Sequence, residues 1–456
     1  MLLRTVSVDA TEGPLLKKIF IYAIPLVLST LIQTLFNAVD MIVLGTLADS
    51  VAVASIGATS AITGVLINSF IGLSGGTKII LSRFFGSKNE ARFRTVADTA
   101  VITGAVTGII VCCLLIPLAP VMLRMTNCPT ECFEGALTYI RIYAMSAPFI
   151  MLYNFGASVL TSSGDTQRPM YYIIAAGVLN AVLNVILCLV IPFKVMAVAI
   201  ATLASQMLSC VLVILRLCKT SGFGHLDISN LHFSLRDFGS IMRFGLPLAL
   251  NRALYPFSTL QIQSAINSYG VSATAGNSAA ITIENIVSSF VGPIGTTLAA
   301  FTGQNLGVKN TERVKQSFRY CLWISVVMAS ALGGTLFLFS KSVFLPLIVG
   351  NDTAAVEFGY IRMACICSCY WIAALNTVLR NSLQAYGYSL STSLNSIITV
   401  FVFRFFWMWF IYPLAPTFLL LMLCYTVSWV LSLIFNIVLY LIAMYRFNRG
   451  KYAVIR

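Results

Sequence analysis

The chain has 456 residues, 58% of them hydrophobic and only 10% charged, with a mean hydropathy of +0.90. No water-soluble domain of this size tolerates that balance, so composition excludes a soluble enzyme or nucleic-acid-binding module and leaves an all-α polytopic membrane protein. The formal charge of +14 sits on Lys and Arg in the short segments between apolar runs, where it reads as topology signal and lipid-headgroup contact rather than as a nucleic-acid surface.

About 20 apolar residues at 1.5 Å each cross the hydrocarbon. On that ruler twelve spans are predicted, six before a polar linker at 219–238 and six after it. The first six lie near 16–47, 51–75, 95–118, 135–161, 170–191 and 196–218. The second six lie near 239–268, 272–304, 317–346, 355–382, 389–412 and 416–444. Residues 1–218 form an N-lobe and residues 239–456 a C-lobe with a basic tail. The N-terminal stretch MLLRTVSVDATEG lacks the apolar core of a secretory signal, so the first span is expected to stay in the mature protein.

The first span carries the residue of greatest interest. Asp40 lies deep in an apolar run, where a charged side chain costs roughly 2.5 to 3.5 kcal/mol at mid-helix even on lenient insertion scales. Gln33, Asn37 and Asp40 stand at i, i+4 and i+7 and share one face, which must line the bundle interior or a watery cavity because lipid cannot satisfy it. The competing reading is a carboxylate tied up in a structural hydrogen bond. Pro25 interrupts the same span and is a candidate hinge between the state of Asp40 and the shape of the helix.

Alternate connections are basic: Lys78 to Arg94 after span two, Arg168 after span four, Arg216 to Arg236 around the linker, Lys309 to Arg319 after span eight, and Arg446 to Arg456 at the end. The other connections are nearly bare, which puts both termini in the cytoplasm. Most of the twelve cysteines lie inside apolar runs as small hydrophobes; Cys128 and Cys132 share a loop in which a pairing is conceivable. No CxxC pair occurs and the two histidines, His225 and His232, sit in the linker, so no metal site is expected.

The halves repeat each other. Gly86-Ser-Lys-Asn-Glu-Ala-Arg92 recurs as Gly307-Val-Lys-Asn-Thr-Glu-Arg313, Tyr139-Ile-Arg141 as Tyr360-Ile-Arg362, and Ile24-Pro25-Leu26 as Leu246-Pro247-Leu248, at offsets near 221 residues. The chain is an internal duplication, and six spans per copy make the repeats parallel, a transporter architecture.

Counting residues back from the outer ends of the spans puts Asp40, Asn184 and Thr202 at about the same depth, with Asn180 one turn deeper on the face of Asn184. A carboxylate, two amides and a hydroxyl in one lobe suit a proton, a small cation or a cationic ligand; the alternative is that the amides and hydroxyl are interhelical glue. In the C-lobe, Arg252 and Glu284 fall within one turn of the same depth and an ion pair is the plain expectation, whether it is structural or lines a substrate cavity. Arg404, among Phe401, Phe403, Phe405, Phe406, Trp407 and Trp409, is expected to snorkel from an aromatic belt, with a substrate contact as the competing reading.

The paired GxKNxxR loops, Ser163-Gly-Asp-Thr-Gln-Arg-Pro169, Gly303-Gln-Asn-Leu-Gly307 and the Asp40 helix together resemble the multidrug and toxic compound extrusion (MATE) family across nearly the whole chain. The resemblance implies a twelve-helix, two-lobed antiporter of the plasma membrane. Such a protein expels small organic cations or amphiphiles in exchange for protons or sodium ions, with no cofactor and no ATPase subunit. Asp40 falls where the DinF-like branch keeps its first-helix aspartate, and Asn180 and Thr202 match positions in that branch's ion cluster. Two departures stand out: the second carboxylate of the sodium cluster is an amide at Asn184, and Tyr255 replaces the helix-seven acid of the NorM-like branch. With one acid left in the first lobe, proton coupling through Asp40 is the simpler reading. A lipid-linked precursor flippase of the same superfamily is the alternative, and a membrane-embedded transferase a more distant one.

Overall fold

The computed structural model describes residues 7–47, 50–126, 128–350 and 352–448; the side chains of 37–42, 44, 50 and 448 lie outside that description. The long helices, here labelled α1 to α6, are Leu15–Leu47, Ser50–Gly86, Glu90–Met125, Thr130–Ser162, Gln167–Val190 and Lys194–Lys219. After a linker come α7 to α12: Leu235–Ser268, Val271–Gly307, Thr311–Leu338, Thr353–Tyr386, Ser389–Leu414 and Phe418–Asn448. Eleven helices among the described residues are long and apolar enough to cross a membrane. The twelfth of the pattern, α7, is long but interrupted by Arg243, Asn251, Arg252, Gln261, Gln263 and Asn267.

Two compact units form. One gathers the N-terminal segment up to Glu12 with Phe20–Ala249, and the other takes Gly13–Ile19 with the chain from Leu250 onward. Both α1 and α7 therefore begin in one unit and end in the other. The first part of α7 is held by close backbone contact: a Cβ on Gly76 of α2 would come within 2.5 Å of the Gly245 nitrogen, and one on Gly72 within 2.5 Å of the Ala249 Cα. Only glycine lets α2 and α7 approach so closely.

The repeated loops fold alike. Lys88 and Lys309 take left-handed conformations, with φ of 54° and 57°. The next residue caps the following helix in each copy: Asn89 Oδ1 accepts from Arg92 N and Asn310 Oδ1 from Arg313 N, both at 3.1 Å. An asparagine oxygen at this position satisfies one of the orphan N–H groups that every helix start leaves. The SGDTQRP segment does the same work for α5, where Asp165 accepts from Arg168 N at 3.2 Å and pairs with its guanidinium.

Span nine is shorter than expected. Helix α9 stops at Leu338, and a wide turn at Ser340–Phe344 leads to a short helix, Leu345–Val349. Ser340 donates back to the Phe337 carbonyl, Lys341 pairs with Glu357 at 2.7 Å, and Pro346 has no N–H with which to continue the ladder. Two later spans are locally rewound: α10 tightens at Cys367–Cys369, and α11 widens at Ile397–Val402 and Trp407–Ile411. All twelve cysteines are free, including Cys128 and Cys132.

Candidate functional site

In the first unit the sequence points to α1, α5 and α6. Asp40 and Asn37 lie on α1, but their side chains are outside the described residues. The neighbouring helix contact is described. A Cβ on Gly177 of α5 would overlap the Phe36 ring of α1 at 2.0 Å, so that ring is seated directly on the glycine. Helices α1 and α5 are separated by three reversals and one more, so they run in the same direction. Asp40 follows Phe36 by one turn and Asn180 follows Gly177 by three residues, which registers the two positions along their helices. Asn180 and Asn184 are buried, and the Asn184 amide donates to Asn180 Oδ1 at 3.3 Å. Thr202 is half-buried on α6 and its hydroxyl donates to its own helix at the Val198 carbonyl, 3.0 Å away. Gln33 is exposed. Pro25 is buried within a continuous helix, and Ser29 donates to its carbonyl at 2.8 Å.

The second unit corrects two expectations. Glu284 does not pair with Arg252. Its partner is Arg362 of α10, whose Nε and Nη2 donate to the two carboxylate oxygens at 2.7 and 2.8 Å. Asn277 Oδ1 accepts the remaining arm at 2.9 Å, and the guanidinium lies 4.8 Å from the Tyr425 ring centroid. The reason is a close helix crossing: a Cβ on Gly276 of α8 would sit 2.1 Å from the Ala355 carbonyl of α10. That contact draws Asn277 and Glu284 onto Arg362, a residue whose part in the repeated Tyr-Ile-Arg motif was the only sequence signal for it.

Arg404 does not snorkel. It is 1% exposed, 4.4 Å from the Tyr425 centroid and 5.9 Å from that of Tyr255, with Ser258 and Ser428 hydroxyls at 3.4 to 3.5 Å. The two widened turns of α11 flank it, and each extra residue in a turn rotates the helix face, so uniform helical phasing misplaces this side chain. Arg252 on α7 is exposed, and Arg380 on α10, which sequence reasoning passed over, is half-buried. An amide chain that sequence reasoning also missed crosses three helices: Asn395 donates to Asn436, Asn436 to Asn376 and Asn376 to the Trp429 carbonyl, at 2.9, 2.9 and 2.8 Å.

The chain matches the MatE family profile twice, over residues 25–186 and 247–410, one match in each half of the duplication. Among curated proteins it is 24% identical over 405 residues to the probable multidrug resistance protein YpnP of Bacillus subtilis, covering 87% of this chain and 88% of that one. It is 24% identical over 340 residues to the probable multidrug resistance protein YoeA of the same organism, covering 73% of each. Among solved structures, an outward-facing multidrug resistance MATE family transporter of the MOP superfamily superposes with a TM-score of 0.87 at 21% identity, covering 98% of both chains. A MOP superfamily transporter from Pyrococcus furiosus superposes at 0.86, also at 21% identity, covering 97% of this chain and 98% of that one. With both halves matched by the family profile and the twelve-helix, two-lobed fold shared along nearly the whole length, this chain belongs to the MatE family.

Proposed function

We propose that the protein is a secondary active exporter that expels cationic or amphipathic organic compounds in exchange for protons, with sodium as the alternative ion, by alternating access. The names of the Bacillus relatives, and that of the multidrug export protein MepA of Staphylococcus aureus at 22% identity over 261 residues, support multidrug efflux as the broad activity. The observation that carries the ion coupling is the Phe36–Gly177 contact, which brings the Asp40 position of α1 into register with the buried Asn180–Asn184 pair of α5. A carboxylate beside two amides binds a proton, a metal cation or an organic cation in competition. Exchange follows when these ligands favour different conformations, because a ligand shifts an equilibrium only by its differential affinity. Pro25 is the hinge of that change, and the membrane potential adds about 2.3 kcal/mol per charge per 100 mV. The protein works in the plasma membrane with both termini cytoplasmic, drawing on an ion gradient rather than on a cofactor or an ATPase subunit. A first-helix acid with Tyr255 in place of a helix-seven acid favours the DinF-like branch.

Transport in proteoliposomes under separately imposed pH and sodium gradients tests this, with ethidium as the organic cation and a lipid-linked sugar as the competing cargo. Asp40→Asn is expected to abolish gradient-driven ethidium efflux, and Pro25→Ala to slow it. Unchanged proton-driven efflux in Asp40→Asn removes the coupling assignment.

A further inference from the structure

Around Tyr425 the second unit buries two guanidiniums and one carboxylate. Arg362 is 4% exposed and Arg404 1%, and both lie over the Tyr425 ring, 4.8 and 4.4 Å from its centroid. Glu284 answers Arg362 with both of its oxygens. The remaining acidic side chains of this unit are Glu312, Asp352 and Glu357, all exposed: Glu312 pairs with Lys315, Glu357 with Lys341, and Asp352 caps α10. No carboxylate of the unit is left for Arg404. A charge buried at membrane depth without a counter-charge is costly and ordinarily has a partner.

The contacts that Arg404 does make are weak. Its Nε and Nη2 donate to the Ser428 hydroxyl at 3.4 Å and its Nη1 to the Ser258 hydroxyl at 3.5 Å, both beyond the usual hydrogen-bond range. Each hydroxyl spends its own hydrogen on its own helix, Ser428 on the Tyr425 carbonyl and Ser258 on the Tyr255 carbonyl, at 2.7 Å in both cases. A guanidinium carries five N–H groups, one on Nε and two on each Nη. Three are used here, so one on each Nη has no acceptor among the described residues. Those two sit on adjacent nitrogens and form the donor fork that a guanidinium presents to an anion. The Tyr425 and Tyr255 rings attract the cation through their quadrupoles but carry no net charge to balance it. Tyr255, 5.9 Å from the guanidinium, is itself 52% exposed, so Arg404 lies one ring away from an exposed side chain.

We infer that the Arg404 guanidinium, flanked by Tyr425 and Tyr255, binds a small monovalent inorganic anion of the chloride class inside the second unit. The anion accepts from the two free N–H groups and supplies the counter-charge that Glu284 gives to Arg362 alone. Monovalent charge follows from the enclosure: an ion reaching a guanidinium this buried sheds its water, and that penalty rises steeply with ionic charge. The inference goes beyond the proposed exchange reaction, since it adds an anion to the ligands of the protein and involves neither Asp40 nor a gradient.

The test is thermal melting of the purified full chain in detergent while sodium gluconate is exchanged for sodium chloride at constant ionic strength, with sodium sulfate as a third arm. Chloride is expected to raise the wild-type midpoint along a saturable curve, as a ligand of the folded state does. Arg404→Met is expected to lose that response and to melt in gluconate no lower than wild type, because the uncompensated charge is gone. Arg404→Lys keeps the charge without the fork and should raise the half-saturating chloride concentration at least about tenfold. Equal wild-type midpoints in chloride and gluconate overturn the site, since water would then serve the guanidinium equally well. A chloride response that survives in Arg404→Met overturns it too, and a sulfate response that depends equally on Arg404 overturns the monovalent assignment. If Arg404→Met does not fold, half-saturation in Arg404→Lys within about twofold of wild type overturns the site. Since no gradient is applied, loss of ion coupling through Asp40 leaves these outcomes unchanged.

Discussion

The two repeats of this transporter agree at their surfaces and part company in their interiors. The GSKN and GVKN loops share a left-handed lysine and an asparagine cap with the same 3.1 Å bond. The Tyr-Ile-Arg motif, also shared, does not behave alike. Arg362 is buried and locked to Glu284, whereas its counterpart Arg141 is exposed. At the repeat offset, Glu284 corresponds to Thr63, whose hydroxyl merely donates back to the Thr59 carbonyl at 3.2 Å. The repeats also differ at Gly276 and Asn277, which correspond to Ser55 and Ile56, so the helix crossing and its partners together make Arg362 a structural pin while Arg141 stays exposed. A duplicated scaffold keeps its caps and lets its interior charges diverge.

The largest effect that would break this comparison is at the pin. Glu284→Gln or Arg362→Met leaves a buried charge uncompensated and is expected to cost about 3–5 kcal/mol. Thermal denaturation in detergent should register it as a large drop in midpoint, while Arg141→Met moves the midpoint little. The double variant Glu284→Leu/Arg362→Met should recover much of the loss; failure to recover would show that Asn277 and Tyr425 need the ion pair for their own packing.

The caps sharpen the comparison from the other side. Asn89→Ala and Asn310→Ala are expected to cost about 1 kcal/mol each. Equal losses in the same assay follow from their equal geometry, and a clear inequality would mean that the repeats differ at the loops as well.

A smaller effect belongs to the second repeat alone. Asp352 caps α10, accepting from Ala355 N at 3.0 Å and from the Ser272 hydroxyl at 2.8 Å. The backbone bond first, and the hydroxyl with it, hold its carboxyl below the usual carboxylate range. The carboxylate form is therefore favoured by folding, and its contribution is complete above the unfolded-state value of about 3.9 and is lost as pH falls through the lower folded-state value. The advantage of wild type over Asp352→Ala in melting temperature should stay constant from neutral pH to about 5 and shrink only below about 4. An advantage that shrinks between pH 7 and 5 would sink the assignment.

Much of the fold was legible because lipid imposes a simple rule: a segment must be long and apolar to cross. Eleven of the helices obey it outright, and the repeated loops and caps follow from local turn chemistry that a short stretch of sequence contains. The helix α7 was legible on the same ruler, although its polar residues interrupt the apolar run. Ion-pair partners were less accessible. Matching depths paired Glu284 with Arg252, but depth fixes only one coordinate, and the rotation of a helix about its axis decides which cation it meets.

By itself, the sequence determined that this is a twelve-span duplicated membrane protein, where its loops and caps lie, and which polar residues are costly enough to demand an explanation. These follow from hydrophobicity, spacing and backbone chemistry acting over a few residues. Only the tertiary structure decided that Arg362 answers Glu284 and that Arg404 turns inward. Those outcomes depend on glycine contacts such as Gly276 with Ala355 and on widened turns in α11, which set helix rotation and separation and which no local pattern encodes.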